Sequence, residues 1–148
     1  MSWVALVVLA TCTVVLLLGH WLRSRAREEF RRSVQALGQP DFSYDGPDAG
    51  FADSGSSIAV HVDRRLLHVR RGRRWRSYPL GLVRDWTAAR WRTEAGAAGA
   101  LVIQVDDPAD PVWAIDMPSL EQNTWCDVLD LAVRRSADPS GSSRGDPF

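Results

Sequence analysis

The sequence contains no lysine and very little cysteine. All eighteen of its basic residues are arginine. Two explanations of this bias stay open: a G+C-rich bacterial genome, or selection for the bidentate contacts that arginine makes with phosphate and carboxylate groups. Cys12 and Cys126 are far apart in the chain. Two such cysteines make neither a disulfide framework nor a metal site, so we expect a fold that depends on neither.

Catalytic motifs are also lacking. The sequence has no G-x-S-x-G elbow and no glycine loop of the kind that cradles phosphate. Nucleophilic catalysis needs a serine or cysteine beside a base and an orienting group, and no such set is evident. The clustered aspartates match no calcium loop, and we interpret them as solvated turn carboxylates: Asp106, Asp107, Asp110 and Asp116. We therefore predict a protein that is not an enzyme, with no catalytic residues, no cofactor and no metal.

An uncharged apolar run occupies residues 3–22, with Trp3 and Trp21 at its ends. As a helix it is about 30 Å long, which matches the hydrocarbon core of a bilayer. A cleaved signal peptide is the alternative, but it normally begins with positive charge and has a shorter apolar region. Five arginines follow the run directly and none precedes it. The positive-inside rule then predicts a single-pass protein of the bacterial cytoplasmic (inner) membrane, with its C-terminal domain in the cytoplasm.

The rest of the chain divides by composition. An apolar stripe extends the predicted membrane helix, so residues 1–37 form the anchor with its basic extension; its members are Leu22, Ala26, Phe30, Val34 and Leu37. Residues 38–56 are rich in Gly, Pro, Ser and Asp and predict a linker, from which Phe42, Tyr44 and Phe51 are able to dock onto the domain. Residues 57–135 form the domain, and residues 136–148 predict a disordered tail.

Alternating apolar residues within the domain predict about six short strands, separated by turn residues and by a loop at residues 94–99. His61 and His68 flank the first predicted turn and lie nearly opposite each other, and we interpret them as surface histidines. A helix follows, with Ser119 and Gln122 in the capping-box pattern and Trp125 opening its apolar stripe. The expected fold class is α+β, mainly β: a small antiparallel sheet or half-barrel closed by one C-terminal helix.

This order of elements resembles the pleckstrin-homology-like fold of bacterial membrane-anchored proteins of unknown function. The resemblance covers about half of the chain and depends on four segments: residues 58–63, residues 79–86, the hairpin between the fifth and sixth strands, and residues 125–131. It implies a binding module, in which a helix plugs one end of a bent sheet and loops at the other end bind lipid headgroups, peptides or proteins.

Arginines concentrate on the hairpin between the second and third predicted strands. These candidate ligand- or partner-binding residues are Arg70, Arg71, Arg73, Arg74, Trp75 and Arg76. A solvated hairpin, partly neutralised by the acidic second half of the domain, is the alternative. We predict a membrane-tethered interaction or adaptor module that binds a protein partner; binding of anionic lipid headgroups by the hairpin is the second hypothesis. The domain is balanced in charge, so no nucleic-acid partner is expected.

Overall fold

The computed structural model describes residues 3–46, 55–93 and 96–137. Its first element is a single helix, α1 (Trp3–Gln35), which is long and apolar enough to cross a membrane. The helix ends two residues before the predicted boundary. Gly38 follows it with φ at 102°, a left-handed conformation that favours glycine and turns the chain away from the helix axis. The predicted contact of Phe51 and the predicted tail from residue 138 onward lie outside the described residues.

The first sheet, sheet A, has four antiparallel strands in sequential order: β1 (Phe42–Asp45), β2 (Ser56–His61), β3 (Leu66–Arg71) and β4 (Arg74–Pro79). Strand β1 lies inside the range predicted as a linker. Its Phe42 and Tyr44 pack against the core, while Ser43 and Asp45 point to the other face of the sheet. The segment that was predicted to connect the helix and the domain therefore contributes a strand.

The second sheet, sheet B, has three antiparallel strands: β5 (Val83–Thr93), β6 (Gly96–Val105) and β7 (Val112–Asp116). A 3-10 turn (Leu80–Leu82) joins it to sheet A. The prediction of a loop at residues 94–99 is wrong from Gly96 onward, because β6 begins there and pairs with β5 along the whole hairpin. Glu94 and Ala95 lie outside the described part of the chain.

Both sheets pack on one apolar core, together with the C-terminal helix α2 (Ser119–Ala137). Alternate residues of β2 and β3 enter this core, as do Leu101 and Ile103 of β6. The predicted stripe of α2 is confirmed, since Trp125, Val128, Leu129 and Ala132 are all buried. The α+β, mainly β class is therefore confirmed, with seven strands in the described residues where about six were predicted.

The capping-box role predicted for Gln122 is wrong. Gln122 is fully buried, and its Nε2 donates a 2.8 Å hydrogen bond to the carbonyl of Met117. The amide lies against Gly99 of β6, where a Cβ would contact the Gln122 amide and come within 2.7 Å of the Ala89 carbonyl oxygen. This side chain therefore links α2 to sheet B instead of capping the helix.

Candidate functional site

Strand alternation places the members of the predicted arginine cluster in different surroundings. Arg70 is only 1% exposed, so it does not belong to the surface of the hairpin. Its guanidinium donates hydrogen bonds to Ser57 Oγ and to the carbonyl of Gly72. A buried arginine held in this way acts on the protein's own structure.

Arg74 and Arg76 form ion pairs with Asp110, which is 7% exposed. The interpretation of the turn aspartates as solvated is therefore wrong for Asp110. Asp107 is also engaged, because it accepts a 2.9 Å hydrogen bond from the hydroxyl of Tyr78. The turn between β6 and β7 is thus fastened to β4, and no group of three or more metal-binding side chains occurs among the described residues.

The remaining members of the cluster lie near the tip of the hairpin and differ in their contacts. Trp75 points toward α1, and the edge of its ring meets Phe30, with ring centroids 6.5 Å apart. Arg71 and Arg73 are exposed. These two arginines, together with the exposed parts of the Arg74 and Arg76 side chains, are left to meet an external anion.

The last third of α1 packs on the outer face of sheet A, and we call this contact the α1 junction. Phe30 and Val34 are each 5% exposed and form a small apolar cluster with Ala59, against which Trp75 also packs. The predicted apolar stripe is therefore confirmed at Ala26, Phe30 and Val34, whereas Leu22 and Leu37 are only partly buried. The cluster is separate from the main core, which lies on the opposite face of the sheet.

Charged groups surround this apolar cluster on the side nearer the apolar run. Asp45 of β1 accepts hydrogen bonds from Arg27 and Arg31 of α1 and, through its other oxygen, from Ser57. Arg70 lies 3.8 Å from the same carboxylate. Burial raises the pKa of Asp45, but these hydrogen bonds from Arg27, Ser57 and Arg31 outweigh it, so the pKa stays below its ordinary value. Asp45 thus joins helix and sheet as a carboxylate.

The two histidines of the predicted hairpin also lie in the α1 junction. Their interpretation as surface residues is wrong, because His61 is 4% and His68 is 1% exposed. They do face each other, with His61 Nδ1 3.1 Å from His68 Nε2. His61 Nε2 lies 3.2 Å from the carbonyl of Gly38, and His68 Nδ1 lies 2.6 Å from Ser77 Oγ. A chain of hydrogen bonds therefore runs from β4 to the residue that ends the turn after α1.

The Gly38 carbonyl fixes the direction of this chain, because a carbonyl oxygen only accepts. His61 Nε2 must donate to it, so Nδ1 of neutral His61 accepts from His68 Nε2. Neutral His68 then accepts at Nδ1 from the hydroxyl of Ser77. Every polar atom is satisfied while both rings are neutral. Burial and the neighbouring His61 lower the pKa of His68 to about 4, which keeps it neutral near pH 7.

An open cleft of about 600 Å³ lies between α1 and β1. Phe30, Val34 and Ala59 contribute apolar surface to it, while Arg31 and Ser43 contribute polar atoms. Residues 38–40, which connect α1 to β1, also line the cleft. The cleft is therefore formed only because the helix lies on the sheet.

Sequence reasoning missed Asp45, Ser57 and the burial of both histidines, since the outer face of sheet A reads as a polar, solvated face. The paired placement of His61 and His68 was the signal available. Comparison with known proteins adds no assignment: no protein-family model, curated protein or solved structure matches this chain.

Proposed function

We propose that this protein is a membrane-tethered interaction module that holds a protein partner at the inner face of the bacterial cytoplasmic membrane. The α1 junction is the observation that carries this proposal. One unbroken helix includes both the apolar run and the residues that pack on sheet A. The domain is thus set at a defined height and angle to the anchor, which suits a protein that positions something else.

The order of the secondary-structure elements also supports an interaction module. A four-stranded sheet, a three-stranded sheet and a C-terminal helix, in that order, are the elements of a pleckstrin-homology-like domain. We infer that the domain is of this type, faces the cytoplasm and binds without catalysing a reaction. It includes β1 and residues 26–35 of α1 as well as the predicted range of 57–135.

Crosslinking in the membranes of the native host, followed by mass spectrometry, tests this proposal. We expect one abundant protein to be captured by the full-length chain. A matched variant carries a flexible Gly-Ser insertion between Ser24 and Arg25, which separates the junction from the span without altering either. Capture in membranes should then fall, because the domain is no longer held at a fixed height. Failure of the full-length chain to capture any protein above background would refute the adaptor function.

Binding of anionic lipid headgroups is a second candidate, and the direction of the hairpin favours it. Trp75 contacts Phe30, while Ser77 lies farther along α1, at the level of the histidines bonded to Gly38. The first residues of β4 therefore lie nearer the apolar run than its last residues.

The depth of the hairpin tip follows from the rise of strand and helix. Arg73 lies two residues, about 7 Å, beyond Trp75. Leu22 lies eight residues, about 12 Å, before Phe30. For an upright helix, the tip comes within about 5 Å of the end of the apolar run, at headgroup depth.

Amide hydrogen exchange of the full chain in nanodiscs tests the lipid candidate. We expect residues 71–74 to exchange more slowly when anionic lipid replaces zwitterionic lipid, and the difference to shrink in high salt. The double variant Arg71→Glu with Arg73→Glu should lose the difference. These two positions are better probes than Arg74, whose replacement also breaks the ion pair with Asp110. Equal exchange in both lipids would exclude headgroup binding by the hairpin.

A further inference from the structure

The edge strands of the two sheets differ in how they are protected against pairing with another chain. In the described residues the edges are β1, β4, β5 and β7. Strands β4 and β5 contain arginines, and β7 is preceded by Pro111. Charge and proline on an edge discourage the addition of a further strand. Strand β1 has the sequence FSYD, with no proline and one charge, Asp45, whose carboxylate is paired with Arg27 and Arg31 of α1.

The register of β1 shows which of its backbone groups face outward. The backbone N–H of Gly46 donates to the carbonyl of Ser56. In an antiparallel pair every second residue is hydrogen-bonded to the partner strand, so Tyr44 and Phe42 are the next residues of β1 that are bonded to β2. The intervening residues, Ser43 and Asp45, therefore direct their N–H and C=O groups away from the sheet. Two donors and two acceptors at regular spacing are the set that an incoming strand uses.

The cleft between α1 and β1 lies directly beside these groups. Successive side chains of an added strand point to opposite faces, so every second side chain would enter the cleft. Phe30, Val34 and Ala59 offer it apolar surface, and a volume of about 600 Å³ accommodates a large side chain. We propose that the β1 edge and this cleft bind an extended peptide segment of a partner protein, with an apolar side chain seated against α1.

Two other occupants fit less well. The charged groups at the cleft are already committed to one another, as Asp45 accepts from Arg31, which leaves little for a small ionic ligand to pair with. Pairing with β1 of a second copy of this chain is disfavoured by the direction in which the strand runs. Strand β1 runs from the Gly38 end of α1 back toward Arg27, so copies in one bilayer present β1 strands that run the same way. Antiparallel pairing of two β1 strands would require copies of opposite orientation.

This inference rests on the proposed function, since it identifies the surface that meets the protein partner. The probe is a displayed library of random nine-residue peptides, selected against the full chain in nanodiscs, with the enriched peptides resynthesised for affinity measurement. The variant Ser43→Pro removes one outward N–H while leaving the ladder with β2 intact. We expect it to weaken binding about tenfold or more, the effect of losing a backbone hydrogen bond and close strand approach.

A second variant keeps the proposal testable if Ser43→Pro fails to fold. Ser43→Trp keeps every backbone N–H and fills the cleft, so it should also weaken peptide binding about tenfold or more. Thr87→Trp adds the same indole to an exposed position of sheet B and should bind as the wild type does. In the complex, the amides of Ser43 and Asp45 should gain protection from hydrogen exchange, whereas that of Tyr44, already paired with β2, should change little.

Enrichment of no peptide, or equal affinity for wild type, Ser43→Pro and Ser43→Trp, would overturn the proposal. Its failure is distinguishable from failure of the adaptor function. If both Ser43 variants still capture the protein partner in host membranes, the partner uses another surface and only the cleft proposal fails. If the wild type captures no partner, the adaptor function itself fails.

Discussion

Two helices pack on the β domain, and they do so by different physical means. Helix α2 buries Trp125, Leu129 and Ala132 in the main core among apolar side chains. Helix α1 buries only a small apolar cluster around Phe30 and Val34, and the rest of its contact with sheet A is made by ion pairs and hydrogen bonds. The first contact is non-directional and insensitive to charge, whereas the second depends on the protonation state of named groups.

The domain and its attachment to α1 should therefore respond separately to mutation. Removal of apolar volume beneath α2 should destabilise the whole fold. A change of charge at the α1 junction should release the helix while the two sheets remain folded, since local units of a protein open with their own free energies.

Leu129→Ala should lower the free energy of unfolding of the domain by about 2–5 kcal/mol. Leu129 is fully buried in the core, so the change leaves a cavity as well as losing transfer free energy. Leu131→Ala on the same helix is the matched control, because Leu131 is 40% exposed and should cost well under half as much. Chemical denaturation of the full chain in detergent micelles measures both. Equal losses would mean that α2 does not pack as described.

Acid should weaken the α1 junction before it unfolds the core. The pKa of His68 is about 4 in the folded protein and 6.5 in its ordinary state. The unfolded state therefore binds more protons between these values, and stability falls as pH falls from about 6.5 to 4, by up to roughly 3 kcal/mol. The proton that His68 gains goes to its Nδ1, so the Ser77 hydroxyl can no longer donate there and must turn to accept.

The variant His68→Gln is the control for this pH dependence. It cannot gain a proton, so the loss of stability between pH 6.5 and 4 should be smaller than in the wild type, while carboxylates titrate alike in both proteins. Nitrogen-15 chemical shifts at pH 7 should also show His68 neutral, with the protons of the His61–His68 chain on Nε2 of each ring. Parallel stability curves, or a proton at Nδ1 of His61, would contradict the hydrogen-bond chain.

Asp45→Ala should weaken the junction by about 1–2 kcal/mol, because Arg27, Arg31 and the buried Arg70 lose their shared carboxylate. We expect faster amide exchange in residues 26–35 with little change in α2. Glu29→Ala is the matched control, since its ion pair with Arg25 is exposed and should be nearly neutral. Unchanged exchange in Asp45→Ala would show that the apolar cluster alone holds the helix.

The parts of the fold that the sequence predicted are those with a strong apolar period. The alternation at Ile58 and Val60, the alternation at Leu101 and Ile103, and the stripe beginning at Trp125 all mark residues that the structure buries. Sequence analysis missed strand β1 because it has only four residues and lies among Gly, Pro and Asp. The alternation of Phe42 and Tyr44 with polar residues is too short there to indicate a strand.

The α1 junction could not be predicted for a different reason. The face of sheet A that α1 covers carries Ser57, His61, His68 and Arg70, and a polar face reads as solvated. The spacing of apolar residues shows which face of a strand is apolar. It does not show that the charged last third of α1 covers the other face. The stripe of Ala26, Phe30 and Val34 was visible, but its docking partner, a face with a single alanine and a tryptophan, was not.

The packing of α1 on sheet A should hold the domain rigidly on this helix. Spin labels at Glu29 of α1 and Arg64 in the β2–β3 turn test it directly, since both positions are exposed. They are introduced as Glu29→Cys and Arg64→Cys in a background with Cys12→Ser and Cys126→Ser, and the full chain is placed in nanodiscs. Pulsed electron–electron double resonance at pH 7 should give one narrow distance distribution, which broadens with Asp45→Ala. A broad distribution in the unaltered junction would contradict the claim.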